Sequence, residues 1–416
     1  MNKIKERFEG GRLSQTVNLL LTNFLGLPLS IGISILLAKM LGAEGFGDYS
    51  FINSIFTFSV LIFTIGIFHS GGRALVLNKS EIEGRKYYGV ELILLFIIFF
   101  LMSAFLILYL FFDNNLNTKG LSEIFLMVLP VGIIFLFNNF IDILLQADNK
   151  IKAISFYRFF SKLFHLILLV SVYFISYNKK FNVDIVFLFY IFFISYLFIF
   201  YFIAKYLNPI FVNTKNNLKS IILHNKEYGF NIYIGGLVAV GFVSLSPILI
   251  GYFSDNNDDV GFFMLALTFC APITLIPNTV ATVFYRDFYK NKKIDLYLVL
   301  STWIVGFVSV LILILITEFL ILRFYGVDFF KVISLIYIMA FGFLIHGIGD
   351  FYNKFLSANG ESIKIRNNSF FVGFISIFLG IILIYSYGVY GAAYSRVLVG
   401  VVYLLTVYRC YVSCLK

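Results

Sequence analysis

The sequence predicts an all-α polytopic membrane protein of about twelve transmembrane helices, in two six-helix halves of parallel repeat around a central cavity. Three observations lead there: twelve apolar runs of about twenty residues each, connecting segments that alternate between rich and poor in Lys and Arg, and a pattern of polar residues that recurs in the second half of the chain. The composition agrees, with 60% hydrophobic and 13% charged residues and a mean hydropathy of +0.92. No soluble domain could bury that much apolar surface.

A bilayer core about 30 Å thick is crossed by roughly 20 helical residues. Runs of this kind lie at 17–38, 48–70, 88–112, 121–145, 158–177, 183–205, 228–253, 260–285, 295–317, 331–352, 368–386 and 389–408. The first follows a basic segment, as a secretory signal would. It is too long for one and eleven more spans follow, so it is expected to stay in the protein. No connecting segment is long enough to fold as a catalytic domain.

Orientation follows from the cations. An amino terminus in the cytoplasm puts Lys3, Lys5, Arg7, Arg12, Arg73, Lys79, Arg85, Lys86, Lys150, Lys152, Arg158 and Lys162 on that side. Lys205, Lys215, Lys219, Lys226, Arg286, Lys290, Lys292, Lys293, Lys354, Lys364, Arg366, Arg409 and Lys416 join them, making 25 of the 32 Lys and Arg. Only Lys39, Lys119, Lys179, Lys180, Arg323 and Lys331 fall on the other side, and Arg396 lies inside a span. Both termini are therefore expected in the cytoplasm by the positive-inside rule. The net charge of +10 serves orientation and anionic lipid, not nucleic acid. Cys270, Cys410 and Cys414 have no metal-ligand spacing and no exported pair, so neither a disulfide nor a zinc site is expected.

Shifting the chain by 211 residues lays FIDILLQADNK (140–150) over FYNKFLSANGE (351–361), and shifting it by 214 lays GFGDYSF (45–51) over DVGFFML (259–265). Six spans per repeat is an even number, so both halves start on the same side and enclose a cavity. The expected organisation is a basic cytoplasmic amino terminus (1–16), a first half (17–205), a cytoplasmic linker (206–227), a second half (228–408) and a cytoplasmic tail (409–416).

Four matching stretches carry a family resemblance: LAKMLGAEGFGDYSF (37–51), HSGGRALV (69–76), LLQADNKIKA (144–153) and YGVYGAAYSR (387–396). In their order and spacing the chain resembles the polysaccharide flippases, of the O-antigen or Wzx type, of the multidrug, oligosaccharidyl-lipid and polysaccharide exporter superfamily. That implies a MATE-like fold and transport, without catalysis, of an undecaprenyl-pyrophosphate-linked oligosaccharide for lipopolysaccharide or related surface polysaccharide. It also implies residence in the bacterial inner membrane beside a polysaccharide polymerase and a chain-length regulator. Twelve spans fit this type better than the lipid II flippases, which usually have fourteen. The family's usual Arg before LG is Lys39 here, which keeps the charge but loses the planar fork.

Polar residues inside spans are costly and each is a functional candidate. Arg396 lies about eight residues into span twelve, roughly 12 Å deep at 1.5 Å per residue, where a cation suits a pyrophosphate or a structural carboxylate partner. Asn138, Asp142 and Gln146 recur every four residues on span four, and His346, Asp350, Asn353 and Ser357 form a similar stripe on span ten. The stripes either line the cytoplasmic half of a cavity or grade into the loops. No cofactor is expected, but coupling to H+ or Na+ is, because a desolvated Asp142 or Asp350 can exchange a proton during a cycle.

Lys39 would line the outer mouth or snorkel. Arg73, with His69, is a candidate for the inner mouth or for pairing with Glu91. Arg158 and Lys162, with His165, share a face of span five, as inner-mouth groups or as anchors. Pro28, Pro247, Pro272 and Pro277 interrupt spans one, seven and eight and would kink them. Asp255, Asp258 and Asp259 fall in a polar turn. Two other readings remain: a multidrug exporter of the same superfamily, and a membrane-embedded polysaccharide polymerase or glycosyltransferase, which usually has a large outer loop that is lacking here.

Overall fold

The computed structural model describes residues 12–77, 80–179, 183–290 and 293–415. Lys3, Lys5, Arg7, Lys79, Lys180, Lys292 and Lys416 lie outside the described residues. Nine helices among the described residues are long and apolar enough to cross a membrane. Two of these hold two spans each: Arg12–Phe63 breaks at Gly42 (φ 72°), and Ser362–Cys414 breaks at Gly388 (φ 56°). The helix Phe230–Phe253 supplies the span expected at 228–253. Nine, two more from the breaks, and this one make the twelve. Only glycine tolerates those backbone angles, so each break lets one span end and the next begin without a loop.

Two breaks were not foreseen. Span two stops at Phe63 and resumes as Ile67–Leu77, with Ile65 (φ 42°) and Gly66 (φ 75°) left-handed between them. Span four runs through Ser122–Val128, a tighter turn at Leu129–Val131 containing Pro130, the helix Gly132–Phe140, and a wide π turn at Ile141–Leu145. A second π turn, Asn225–Gly229, joins the linker helix Thr214–His224 to span seven. Such wide turns recur at functional positions in helices.

The chain forms two compact units. One holds the described residues up to Leu41 and Phe56–Ile234; the other holds residues 42–55 and those from Gly235 onward. The first is cemented by rings: Phe137 and Phe200 stack at 3.7 Å, and Phe140 meets Phe68, Tyr88 and Phe200 edge-on or tilted. The second is built around span ten (Lys331–Ala358), whose Leu335, Ile336, Met339, Ala340 and Leu344 are all buried. Spans ten and twelve cross where Gly342 meets Gly400, and a side chain on Gly400 would come within 3.0 Å of the Gly342 carbonyl. Lipid gives apolar helices no hydrophobic reason to associate, so close packing at small residues has to hold them.

The internal repeat is visible in the backbone. Span four ends with the Lys150 amide bonded to the Leu145 carbonyl, the Asn149 amide to Gln146, and Asn149 left-handed (φ 56°). Span ten ends identically 211 residues later: Glu361 to Leu356, Gly360 to Ser357, and Gly360 left-handed (φ 78°). Both are Schellman-type closures that satisfy the last carbonyls of a helix.

Candidate functional site

In the first unit, spans four and five form an antiparallel hairpin about the turn at 147–150, which brings side chains of the two spans opposite one another. Arg158 grips one oxygen of Asp142 from two nitrogens, at 2.8 and 3.0 Å. One turn deeper, the Tyr157 hydroxyl donates to the Asn138 side-chain oxygen at 2.8 Å. Lys162 continues the face and donates to Ser30 of span one at 2.9 Å. The Asp142–Arg158 pair is about two-fifths exposed, so its charges remain available to a ligand. His165 is separated from this row, being buried among the rings of Phe192 and Tyr196 in span six.

A second cluster lies on the resumed part of span two. Arg73 stacks over the Tyr228 ring at 4.5 Å, and with His69, Gln146 and Tyr228 it walls a cavity of about 420 Å³. The expected pairing of Arg73 or His69 with Glu91 does not occur: both Glu91 carboxylate oxygens are buried without a hydrogen-bond partner. A neighbouring cavity of about 640 Å³ is bordered by Arg85, Tyr88, Asp148, Lys150 and Tyr206. There Lys150 pairs with Asp148 at 2.9 Å, Tyr88 donates to Asp148 at 2.6 Å, and the ammonium sits 4.7 Å from the Tyr88 ring centre. Lys39 is exposed near the end of span one and has no ion pair among the described residues.

In the second unit, Asp350 accepts from the Tyr403 hydroxyl at 2.9 Å and from the Asn278 amide at 3.1 Å. His346, one turn earlier, stacks on the Tyr403 ring at 4.6 Å. Arg396 lies 4.4 Å from the Phe343 ring centre, and its Nε is buried with no acceptor. No carboxylate lies within ion-pair distance of it among the described residues. Arg396 borders a small chamber of about 20 Å³, with Ser246, Ser376 and Ser395. That volume is enough for one water. Asp259 of the polar turn before span eight pairs with Lys331 at the head of span ten.

The structure therefore brings Asn138, Asp142, Arg158 and Lys162 onto one face, and His346, Asp350 and Arg396 into one region of the other unit. It adds Ser30, Tyr228, Asn278 and Tyr403, which the sequence reading missed. Tyr157 was missed as well, and its one signal was the short turn at 147–150, which sets spans four and five side by side. Asn278 and Tyr403 carried no comparable signal, because their partners are fixed only by tertiary packing. At the repeat offset Asp142 falls on Asn353 and Asn139 on Asp350, so each unit has one acid and one amide three residues apart, in reversed order.

The arrangement, a cation-bearing face in one unit and a buried guanidinium in the other, suits the handling of an anion within a helical membrane scaffold. A family model described as polysaccharide biosynthesis protein matches residues 13–285, and the chain belongs to that family. Its fold is shared with solved transporters. A MATE-family multidrug resistance transporter of the MOP superfamily, inward-facing, aligns with TM-score 0.68 at 14% identity, over 95% of this chain and 98% of that one. The lipid II flippase MurJ, inward closed, aligns with TM-score 0.74 at 17% identity, over 96% and 87%. The MATE multidrug transporter DinF-BH aligns with TM-score 0.63 at 13% identity, over 96% and 94%. No curated protein matches the chain in sequence. At these identities the structural likeness establishes the fold, and the chain is a multi-pass membrane protein.

Proposed function

We propose that the chain is a flippase that moves an undecaprenyl-pyrophosphate-linked oligosaccharide, an O-antigen or related surface-polysaccharide unit, from the cytoplasmic to the outer leaflet of a bacterial plasma membrane by alternating access. Both termini are cytoplasmic in this reading, and the cycle draws on a H+ or Na+ gradient. The observation that carries it is Arg396, a guanidinium deep in span twelve with no ion-pair partner among the described residues. A buried charge is retained only if a partner or a use offsets its cost, and a pyrophosphate supplies the missing anion through charge-assisted hydrogen bonds.

Arg73, Arg158 and Lys162 receive the head group at the inner mouth, and Asn138, Asp142, His346 and Asp350 line its path with hydrogen-bonding groups. Lys39 serves the outer mouth. A polysaccharide polymerase and a chain-length regulator act on the delivered unit. Family membership supports the polysaccharide assignment.

The test is complementation of a host lacking its own flippase. Wild type restores surface glycan, Arg396→Lys restores part of it, and Arg396→Ala restores none at equal protein level in the membrane. Normal glycan per molecule in Arg396→Ala would overturn the assignment. The multidrug-exporter reading, which the shared fold with multidrug transporters keeps in play, predicts instead that the chain lowers cellular dye and leaves glycan unchanged.

A further inference from the structure

Glu91 is fully buried in the first unit and has a role in none of the clusters above. It lies in span three, five residues beyond Lys86, roughly 7.5 Å along the helix at 1.5 Å per residue. Neither carboxylate oxygen has a hydrogen-bond partner. Its carboxyl lies against the backbone of span two at Gly71, where any side chain would overlap Oε1 and the carboxyl carbon. The glycine is therefore the cover of this acid. Gly71 sits five residues past the break at Ile65–Gly66.

The break is held from outside the span. The Asn225 amide donates to the free Ile65 carbonyl at 3.2 Å, and the Ser70 hydroxyl donates to the Asn225 side-chain oxygen at 2.9 Å. A β-branched residue at φ 42° is a strained conformation that persists only where its surroundings impose it.

The charged and titratable groups around Glu91 are turned elsewhere. On its own helix the Tyr88 hydroxyl donates a hydrogen bond to Asp148, and Tyr87 meets Ser220. On the resumed part of span two, His69 borders the 420 Å³ cavity and Arg73 stacks on Tyr228. On the linker helix Lys219 is exposed, and His224 keeps Nδ1 without a partner. The segment Gly132–Phe140 has no titratable residue, and Asp142 in the turn after it is taken by Arg158. An ionised Glu91 would be a lone charge in an apolar interior, where such groups take up a proton instead.

We propose that Glu91 is a proton-binding site: its carboxyl holds a proton while Gly71 lies over it, and releases that proton to water when residues 67–77 turn about the break at Ile65–Gly66. The O–H bond breaks, water takes the proton, and the carboxylate keeps the electron pair until the segment returns. This assigns the proposed proton coupling to one residue and so rests on the transport reading.

Two measurements on the full-length protein in liposomes test it. The first is the infrared band of a protonated carboxyl at neutral pH, in wild type, Glu91→Gln and Gly71→Ala. The band should be present in wild type, absent in Glu91→Gln, and lost in Gly71→Ala, where the new methyl pushes the carboxyl out from under its cover. A wild type without the band, or a band unchanged in Gly71→Ala, overturns the proposal. The second is the response of flipping to an imposed pH gradient, with undecaprenyl-pyrophosphate-linked oligosaccharide as the probe. Wild type should respond, and Glu91→Gln should flip without response. A full response in Glu91→Gln overturns the coupling role. A wild type that flips none of the probe refutes the transport reading instead, and the infrared result then decides the proton site alone.

Discussion

Replacing Arg396 with Met separates a transport role from a structural one by the sign of the stability change. Met keeps an unbranched stem of similar reach, so the packing around Phe343 and the 20 Å³ chamber is largely preserved. Two contributions disappear with the charge. A cation over an aromatic ring stabilises by about 0.5–2 kcal/mol, and burying an Arg at the centre of a span costs about 2.5–3.5 kcal/mol on insertion scales. Because no carboxylate is within ion-pair distance of Arg396 among the described residues, the difference makes Arg396→Met more stable by roughly 0.5–3 kcal/mol. A guanidinium serving a buried ion pair would give the opposite result, a loss of about 3–5 kcal/mol, because its partner would be stranded. For transport, one charged hydrogen bond to phosphate contributes about 1.5–3 kcal/mol, so flipping should fall by roughly 10- to 150-fold. Thermal unfolding of the purified protein, followed by the fluorescence of its single tryptophan, Trp303, gives the stability arm. Surface glycan per molecule gives the transport arm. A variant that unfolds more readily than wild type while transporting normally would refute the reasoning on both counts.

Four further outcomes are expected. The half-exposed Asp142–Arg158 pair should show a coupling of no more than about 1 kcal/mol in a double-mutant cycle of Asp142→Asn with Arg158→Gln, read by thermal unfolding. Gly400→Leu should push spans ten and twelve apart at Gly342 and cost at least about 1–3 kcal/mol, seen as a lowered unfolding temperature. Asp350→Ala strands the donors of Asn278 and Tyr403 and should destabilise by about 1–3 kcal/mol for each one left buried, whereas Asp350→Asn keeps an acceptor and should cost less. In a variant without native cysteines, Asn256→Cys should react with an impermeant thiol reagent in intact cells and Asn216→Cys should not. Both positions are exposed in the fold, and the reverse labelling would invert the topology.

The spans could be read from the sequence because hydropathy over twenty residues is a local property, and each of the twelve is present, although several helices, such as Glu81–Phe112, Ile151–Lys179 and Leu296–Phe324, run well past the expected bounds. The repeat was legible for a similar reason: QADNK and SANGE carry the turn chemistry that closes spans four and ten. What the sequence withheld depends on distant contacts. The break at Ile65–Gly66 requires the Asn225 side chain, 160 residues away, to take up a freed carbonyl. A β-branched residue gives no sign of a left-handed turn. Asp142 and Arg158 were placed in separate groups, yet they pair, because charge patterning along one helix does not report what a hairpin brings opposite. Glu91 looked like a partner for Arg73, and only the orientation of the resumed part of span two shows that it has none.

Transport of a pyrophosphate-linked glycan through a path that uses Arg396 can be followed directly. Its most direct test uses sealed liposomes containing undecaprenyl-pyrophosphate-linked oligosaccharide in both leaflets and an added enzyme that cleaves only the glycan it can reach from outside. With wild-type protein nearly the whole glycan pool should become cleavable; protein-free vesicles should retain the inner-leaflet half, and vesicles with Arg396→Met should expose that half roughly 10- to 150-fold more slowly. An inner-leaflet pool that stays protected with wild type, or that is exposed equally fast with Arg396→Met, would contradict the account.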